Sequence, residues 1–328
     1  MDFFTLVGLL VTLYLFVYIV SLAVTDCDLG LLWASHFREK PEILKGKVVW
    51  ITGASSGIGA FLAVEMAKNG AKVVLSGRSV ANLKRVRENC IAAGSNATSL
   101  MVLPFDVTDF ADHERLFLQV VQHFGKLDIL VNNAGRSQRA IWENIELDVD
   151  KEMFDLNVFS VISLSRIAVN YFEKQQTRGH LVVMSSLAGV FGAPFSGTYT
   201  ATKHAIHGYF KSLMTEKLGG NIDVTLLCPG PVFSNLLQQC FTSEKGKVFG
   251  QHMRPTDKRM PTERCAQLCA IAIANKLDEA WIGIFPVVPL CYVLVYFPNI
   301  AKKISIFVGA KQIQDLRDSR QTIKEKPN

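Results

Sequence analysis

Short apolar runs alternate with helix-like segments along residues 48–230, and this alternation constrains the fold more than any other feature of the sequence. Runs of about four to eight apolar residues are typical of strands that are buried on both faces. Strands that alternate with helices predict a parallel sheet covered by helices on both sides, the doubly wound α/β class. The predicted strands are 48–52, 72–77, 99–109 with its exit loop, 127–135, 179–186 and 222–230, and the predicted helices are 60–70, 80–94, 114–125, 150–175 and 199–217.

The first predicted strand runs into the glycine-rich turn GASSGIG at residues 53–59. Its G-x-x-x-G-x-G spacing differs from the standard dinucleotide fingerprint, but the physics is related. Glycines permit a tight strand-to-helix turn, and free N–H groups at the helix N-terminus bind a pyrophosphate. The turn therefore predicts a Rossmann-type dinucleotide site, whose residues are Gly53, Ser55, Ser56, Gly57, Ile58 and Gly59.

The end of the second strand indicates which dinucleotide binds. An acidic residue there would bind the ribose hydroxyls of NAD, whereas a basic residue would accept the 2′-phosphate of NADP. The sequence places Arg78 at this point and no acid, so NADP(H) is favoured over NAD(H), unless Arg78 is only a solvated loop residue. Asp106 and Val107 follow the third strand and could line the adenine pocket, although Asp106 could instead cap the strand end.

Tyr199 and Lys203 are four residues apart in a predicted helix, so their side chains share one face. An ammonium beside a phenol favours the phenolate and lowers the tyrosine pKa, which would make Tyr199 a usable proton donor near neutral pH. The alternative from spacing alone is an ordinary surface pair, since such pairs are common on helices.

Composition excludes several classes of protein. The 328 residues are 49% hydrophobic, enough for one large domain, and residues 46–280 contain neither a linker nor a repeat. The net charge of +6 comes from dispersed residues, which does not favour nucleic acid as a partner. The seven cysteines are irregularly spaced, and Cys265 and Cys269 lack further zinc ligands nearby, so no metal site is predicted.

The N-terminal segment 3–24 carries no charge over 22 residues, long enough to cross a bilayer core of about 30 Å. A cleaved signal peptide is the alternative, but its apolar region would be shorter and preceded by positive charge. We therefore predict a single-pass membrane anchor over 1–25, followed by a linker over 26–45.

Location and orientation are indicated by short signals. Lys324 and Lys326 resemble the dilysine signal that retrieves membrane proteins to the endoplasmic reticulum. The basic residues after the anchor favour a cytosolic catalytic domain. The sequon at 96–98 favours the lumen instead, because glycosylation occurs only there.

The chain after residue 230 differs in composition. The loop 231–262 is rich in large apolar residues and is expected to cover a bulky lipophilic substrate, unless these residues simply pack on the body or membrane. Residues 281–310 are strongly apolar but interrupted by three prolines, which predicts a last strand plus an apolar flap on the membrane, with a second span as the alternative. The extension 281–328 ends in a polar tail from residue 311.

Several motifs occur together in a characteristic order. They are TGASSGIG, NNAG, VVMSS, Tyr199-x-x-x-Lys203 and the Pro-Gly pair at 229–230. In combination they resemble the short-chain dehydrogenase/reductase family of the compact single-domain type, over about residues 46–275. The resemblance implies NADP(H)-dependent interconversion of carbonyls and alcohols, with steroids, retinoids or xenobiotic carbonyls as typical substrates. It also implies attachment to the endoplasmic reticulum.

The resemblance assigns roles to individual residues. Tyr199 matches the proton donor, Lys203 the lysine that lowers the tyrosine pKa and binds the nicotinamide ribose, Ser186 the serine that hydrogen-bonds the substrate carbonyl, and Asn157 the asparagine that holds a relay water. It also implies cofactor contacts from Asn132, Ala134, Gly135, Pro229, Gly230, Val232 and Ser234.

Two other functions compete with a carbonyl reductase. One is a catalytically silent cofactor sensor or membrane scaffold on the same fold, which the intact set of catalytic residues disfavours. The other is an epimerase or dehydratase, which usually has a longer chain and a distinct substrate domain. The resemblance further implies a possible homodimer through the helices around 114–175.

Overall fold

The computed structural model describes residues 2–319, except for the side chains at 19, 22, 310, 311, 314 and 316. The C-terminal dilysine motif lies outside this range. The strands are β1 (Val48–Ile51), β2 (Lys72–Gly77), β3 (Leu100–Pro104), β4 (Ile129–Asn132), β5 (Gly179–Met184), β6 (Ile222–Pro229) and β7 (Glu279–Ile282). The helices are α1 (Phe3–Val24), α2 (Leu29–Phe37), α3 (Gly57–Lys68), α4 (Val80–Ala92), α5 (His113–Phe124), α6 (Leu147–Phe154), α7 (Ser160–Gln175), α8 (Gly197–Glu216), α9 (Thr262–Ala274), α10 (Val287–Tyr296), α11 (Pro298–Val308) and α12 (Ala310–Asp318).

The seven strands form one parallel sheet in the order β3-β2-β1-β4-β5-β6-β7. The six predicted strands are all present, and β7 is the strand expected near residue 281. The strand order reverses between β1 and β4, and such a switch point opens a crevice at the carboxyl ends of the strands. The predicted doubly wound α/β fold is therefore confirmed.

Residues of β1 face two cores in alternation, as the two-residue period of a strand requires. Val49 and Ile51 pack into the core beneath α3 and α9, whereas Val48 and Trp50 pack into the core beneath α5, α7 and α8. The indole of Trp50 is buried, and it donates a hydrogen bond of 2.8 Å to Ser76 Oγ. Burial on both sides is the reason for the unbroken apolar runs in the sequence.

The segment 26–45, expected as a linker, contains α2 and docks on the edge of the sheet. Asp28 caps α2 by accepting from Leu31 N at 3.0 Å, and it also accepts from Trp281 N at 2.6 Å. The main-chain N–H of Asp28 donates to Trp281 O at 2.9 Å. Leu31 is fully buried in the core. This segment therefore packs as part of the α/β body.

The N-terminal helix α1 leaves most of its large apolar side chains exposed. It contacts the body near its end, where the rings of Tyr18 and Tyr292 lie 6.4 Å apart. Of the helices within residues 2–319, none has the combination of length and apolarity that crossing a membrane requires. The predicted anchor is therefore not confirmed.

The C-terminal extension folds into three consecutive helices, α10, α11 and α12. The apolar stretch expected as a flap supplies α10 and α11, which end and begin around Pro298. Val288 and Cys291 of α10 are buried against the body, whereas Ile306 and Phe307 of α11 are exposed. The extension therefore has one face on the body and one face open.

Candidate active site

Tyr199 and Lys203 lie one turn apart on α8, and both side chains are buried along one wall of a large cavity. The Lys203 ammonium is 5.6 Å from the centre of the Tyr199 ring and donates to the main-chain oxygen of Met184 at 2.8 Å. The pair predicted from the four-residue spacing is therefore held against the carboxyl end of β5, and it is not a solvated surface pair.

Ser186 follows β5 and faces the same cavity. Its hydroxyl donates to Pro229 O at 3.3 Å, accepts from Ala188 N at 3.1 Å, and interacts with the Tyr199 phenol. The neighbouring Ser185 is instead hydrogen-bonded to His207 Nε2 at 2.8 Å. Of the two serines, Ser186 is thus the one placed beside the phenol.

Asn157 lies in a π-helical turn over Asp155–Phe159 between α6 and α7. Insertions of this kind are frequent at functional sites. Its amide donates to Arg136 O at 2.9 Å and to Thr202 Oγ1 at 3.2 Å, and its oxygen accepts from Arg136 N at 3.0 Å. Asn157 is fully buried behind the cavity wall and ties that wall to α8.

The tyrosine pKa differs in direction from the sequence expectation. Burial raises the pKa of Tyr199, because a phenolate loses its hydration there, whereas the Ser186 hydroxyl and the guanidinium groups of Arg317 and Arg139 act in the lowering direction. Burial also lowers the pKa of Lys203 to about 8. The lowering expected from Lys203 is therefore not seen: desolvation sets the direction for Tyr199, and the groups that oppose it are Ser186, Arg317 and Arg139.

The glycine turn is fitted closely to the segment that follows β4. Gly53 has φ +65°, and a side chain there would place its Cβ 2.8 Å from Ala134 Cα. Asn133 donates from its amide to Thr52 O at 2.9 Å and to Gly53 O at 3.2 Å. Neither Asn133 nor Thr52 was predicted as a site residue, although the NNAG motif contains Asn133 and the TGASSGIG motif contains Thr52. Their hydrogen bonds hold the turn open toward the cavity.

Arg78 and Asp106 lie together at the other end of the cavity. The Arg78 guanidinium is 70% exposed and sits 3.7 Å from Asp106 Oδ2. Asp106 also accepts from Thr108 N at 3.0 Å and from Thr108 Oγ1 at 2.8 Å, so it caps the strand end as well as lining the cavity. Val107 lines the cavity beside it.

The other predicted cofactor residues fall into two groups. Asn132 points away from the cavity, since its amide donates to Ser165 Oγ at 2.9 Å in the buried interior. The residue that lines the cavity at this point is the next one, Asn133. The structure brings the rest of the set to the cavity wall, namely Gly53, Ser55, Ser56, Gly57, Ile58, Gly59, Ala134, Gly135, Pro229, Gly230, Val232 and Ser234.

The cavity has a volume of about 910 Å³ and extends from the glycine turn to the C-terminal helices. Part of the loop 231–262 lines it, including Leu236, Leu237 and Met253. The sequence analysis missed the contribution of the extension, which supplies apolar side chains to the far wall. These are Val287, Leu290, Val293 and Leu294 from α10 and Ala301, Ile304 and Val308 from α11.

Comparisons with known proteins agree with this geometry. The short chain dehydrogenase family model matches residues 47–245. Dehydrogenase/reductase SDR family member 7 from Mus musculus is 39% identical over 298 residues, 90% of this chain and 87% of the mouse protein. The Homo sapiens protein of the same name is 38% identical over 308 residues, 93% of this chain and 90% of its own length.

Two further proteins show how widely the fold is shared. The 11-beta-hydroxysteroid dehydrogenase 1A of Arabidopsis thaliana is 37% identical over 236 residues, 71% of this chain and 66% of its own length. The X-ray structure of an alcohol dehydrogenase from the archaeon Thermococcus sibiricus, complexed with 5-hydroxy-NADP, aligns with a TM-score of 0.63 at 22% identity. It covers 74% of this chain and 97% of the archaeal chain.

The chain belongs to the short-chain dehydrogenase/reductase family. Its identity to named dehydrogenases and reductases makes it an oxidoreductase of CH–OH and carbonyl groups that uses a nicotinamide cofactor. The cavity fits such a group, because the turn at Gly53 leaves no room for side chains and the N-terminus of α3 faces the same space. Within residues 2–319, no group of three or more His, Cys, Asp or Glu side chains is arranged to hold a metal ion.

Proposed function

We propose that this protein is an NADP(H)-dependent reductase of lipophilic carbonyl compounds. The observation that carries the proposal is the position of the Tyr199 phenol and the Ser186 hydroxyl on one wall of a cavity that also reaches the glycine turn and the apolar helices α10 and α11. A carbonyl held at this wall would lie between the proton donor and the nucleotide site.

The residues divide the chemistry between them. The cofactor, when bound, supplies the hydride. Ser186 donates a hydrogen bond to the carbonyl oxygen as negative charge develops on it, and Tyr199 delivers a proton to the same oxygen. Lys203 would bind the nicotinamide ribose of the bound cofactor, and its ammonium lies 5.6 Å from the centre of the Tyr199 ring. Asn157 would hold the relay water that the resemblance implies, and its hydrogen bonds to Arg136 O and Thr202 Oγ1 fix its position next to α8.

NADP(H) is preferred over NAD(H) in this proposal because of Arg78. Its guanidinium is exposed at the cavity mouth, where a 2′-phosphate could accept two parallel hydrogen bonds. The carboxylate near that position is Asp106, and it already accepts from Thr108 and lies near Arg78. Asp106 is therefore less suited to bind ribose hydroxyls than a free acid at the end of β2.

Membrane attachment at the endoplasmic reticulum is the second part of the proposal. Exposed apolar side chains along α1, among them Leu10, Leu13 and Phe16, form a surface that water solvates poorly. Phe307 of α11 is 93% exposed near the apolar end of the cavity. A cytosolic orientation is favoured, and Asn96, whose side chain caps a short turn by accepting from Thr98 N at 3.0 Å, should then remain unglycosylated in eukaryotic cells.

A homodimer through α5 and α7 is the third part. The two helices pack together, with the rings of Phe117 and Tyr171 5.3 Å apart, while Leu118 on α5 is 51% exposed. Light scattering of the detergent-solubilised protein should give twice the monomer mass, and Leu118→Asp should halve it.

The central experiment is a fluorescence titration of the full-length protein with NADPH and NADH, followed by absorbance at the nicotinamide band with ketones, aldehydes, steroids and retinals. We expect tighter NADPH binding and consumption of NADPH with bulky apolar carbonyls. Binding of neither nucleotide would overturn the proposal from the glycine turn onward. Flotation with liposomes tests attachment, using a variant in which Leu10, Leu13 and Phe16 are all changed to Asp.

A further inference from the structure

A buried cluster of charged residues lies where the last described helix, α12, meets the catalytic body. Arg139 donates from Nε to Asp318 Oδ2 at 2.9 Å, and both side chains are buried, at 7% and 1% exposure. Arg259 lies 3.6 Å from Asp318 and 3.7 Å from Asp257, with only 4% of its side chain exposed. The cluster therefore draws together residues that are far apart in the sequence.

Arg317 also belongs to this cluster, but among the described residues it forms no ion pair with a carboxylate. Its guanidinium donates to Pro194 O, to Ser196 Oγ and to Gln138 O, the last at 3.3 Å. Among residues 2–319, no acidic side chain is recorded in an ion pair with it. Burial and the neighbouring Arg139 charge lower the pKa of Arg317 to about 9, so it remains protonated at neutral pH. The acceptors of its hydrogen bonds are therefore neutral, and the partly buried Arg317 charge interacts with the Asp318 carboxylate only through space.

Arg259 is also incompletely satisfied. Its Nε and Nη2 atoms are buried without a hydrogen-bond partner among the described residues, since the two carboxylates lie beyond hydrogen-bonding distance. A buried donor that lacks an acceptor is destabilising, and more so when it is charged. Such an atom indicates a place where a ligand can supply the acceptor.

The charges of this arginine cluster do not balance. Among residues 2–319, three guanidinium groups, of Arg139, Arg259 and Arg317, lie near the carboxylates of Asp257 and Asp318, which leaves one positive charge in excess within that part of the chain. All three arginines line the same cavity as Tyr199. Ser196, which Arg317 contacts, precedes Tyr199 by three residues, a rise of about 4.5 Å along a helix. The excess charge thus lies close to the reacting end of the cavity.

We propose that the arginine cluster binds a carboxylate of the substrate, so that the preferred substrates are amphipathic oxo acids. The carboxylate would accept from the open donors of Arg259 and pair with Arg317, because guanidinium groups match carboxylates in geometry. The carbonyl would lie at Tyr199, and the apolar remainder would lie along α10 and α11. This inference rests on the proposed carbonyl reductase function and specifies its substrate class.

The test compares each oxo acid with its own methyl ester. The pairs are 4-carboxybenzaldehyde with methyl 4-formylbenzoate, and 4-oxodecanoate with methyl 4-oxodecanoate, each with NADPH and the full-length protein. We expect kcat/KM to favour the acid by at least about tenfold, because a hydrogen bond to a charged group is among the stronger polar contacts in a protein. In Arg317→Gln this preference should fall about tenfold or more, mainly through KM. Arg317→Lys, which keeps the charge, should retain part of it.

Arg115→Gln is the matched control, because Arg115 pairs with Asp112 on the exposed surface of α5 and should keep the full preference. If Arg317→Gln fails to fold, Arg259→Gln replaces it in the same comparison. A preference for the esters in the native protein, or an acid preference that both arginine variants retain, would overturn the inference.

A second readout separates this inference from the proposed function. Decanoate has no carbonyl to reduce, so its effect on the melting temperature Tm in the presence of NADPH measures anion binding alone. We expect decanoate, but not methyl decanoate or sodium sulfate, to raise Tm, and the rise to disappear in Arg317→Gln. If neutral ketones are reduced but decanoate does not raise Tm, the oxo-acid inference is wrong and the reductase function stands. If decanoate raises Tm but no carbonyl compound is reduced, the proposed reductase function is wrong and the anion site stands.

Discussion

The Lys203 ammonium lies 5.6 Å from the centre of the Tyr199 ring while it donates a hydrogen bond of 2.8 Å to Met184 O. This bond joins α8 to the end of β5, two residues before Ser186. Because one lysine fixes the distance between helix and strand, the phenol and the serine hydroxyl remain on the same wall of the cavity. The positions of Tyr199, Lys203 and Ser186 thus depend on one contact between α8 and β5.

Replacing the proton donor should abolish turnover without abolishing cofactor binding. In Tyr199→Phe we expect kcat for a carbonyl substrate to fall about 10²–10⁴-fold, the usual contribution of positioned acid catalysis. The NADPH dissociation constant from fluorescence titration should change little, because the ring is retained. Tyr209→Phe, at an exposed position on the same helix, should behave as the native protein. Full activity in Tyr199→Phe would refute the assigned mechanism.

The pH profile should reflect the lowered pKa of Lys203. Its ammonium is lost above about pH 8, well below the usual value of 10.5, because burial penalises the charge. We expect kcat/KM for reduction, measured at saturating NADPH, to fall up to about tenfold per pH unit above pH 8, since the charge beneath Tyr199 disappears.

Two lysine variants test whether deprotonation of Lys203 causes the fall in kcat/KM above pH 8. In Lys203→Arg the fall in kcat/KM should begin at a higher pH, even if the activity of the variant is low, because an arginine keeps its proton. Lys217→Gln should leave it in place, since Lys217 lies at the end of α8 and pairs with Glu173 at 2.9 Å. A profile that is flat from pH 7 to pH 9.5 would rule out Lys203 as its source.

Cofactor choice should depend on the pair formed by Arg78 and Asp106. In Arg78→Gln we expect the NADPH dissociation constant to rise about tenfold, the lower end for a charge-assisted hydrogen bond because the site is exposed. Binding of NADH should be nearly unchanged. In Asp106→Asn, NADPH should bind a few-fold more tightly, since the carboxylate 3.7 Å from the guanidinium no longer competes with the phosphate. Equal losses for both nucleotides would argue against a phosphate-binding role.

A methyl group in the glycine turn should prevent nucleotide binding. In Gly59→Ala the new Cβ would lie 2.6 Å from Gly53 O, a main-chain atom that has little room to move. We expect a loss of about 1–3 kcal/mol in unfolding free energy and at least a tenfold weaker NADPH affinity. Gly208→Ala is the control, because a Cβ there meets no atom within 4 Å, and alanine in an exposed helix should stabilise the protein. Normal NADPH binding by Gly59→Ala would show that the turn does not contact the cofactor.

The sequence by itself determined the features that depend on near neighbours along the chain. Strand burial on both faces requires unbroken apolar runs, so Val48 to Ile51 could be read as a buried strand without knowing its partners. The turn at Gly53 and the spacing of Tyr199 and Lys203 have local meanings of the same kind. They were enough to predict the parallel sheet and the cofactor site.

Only the tertiary structure decided which residues meet across long stretches of chain. In the folded chain Ser185 is hydrogen-bonded to His207, and Ser186 lies beside the Tyr199 phenol. Asn132 points into the interior, whereas Asn133 lines the cavity. It also raised the pKa of Tyr199, since desolvation depends on every atom packed around the ring. The sequence around Tyr199 contains no information about that packing.

The arginine cluster, in which Arg139 and Arg259 are buried and Arg317 is partly buried, is the clearest case of such a long-range feature. Arg317 follows Tyr199 by more than a hundred residues and belongs to a segment that the sequence predicts to be a polar tail. Its side chain lies in the cavity because α10 and α11 lead the chain back over the active site, where Asp318 pairs with Arg139. A charge acts through distance in space and local dielectric, neither of which the order of residues specifies.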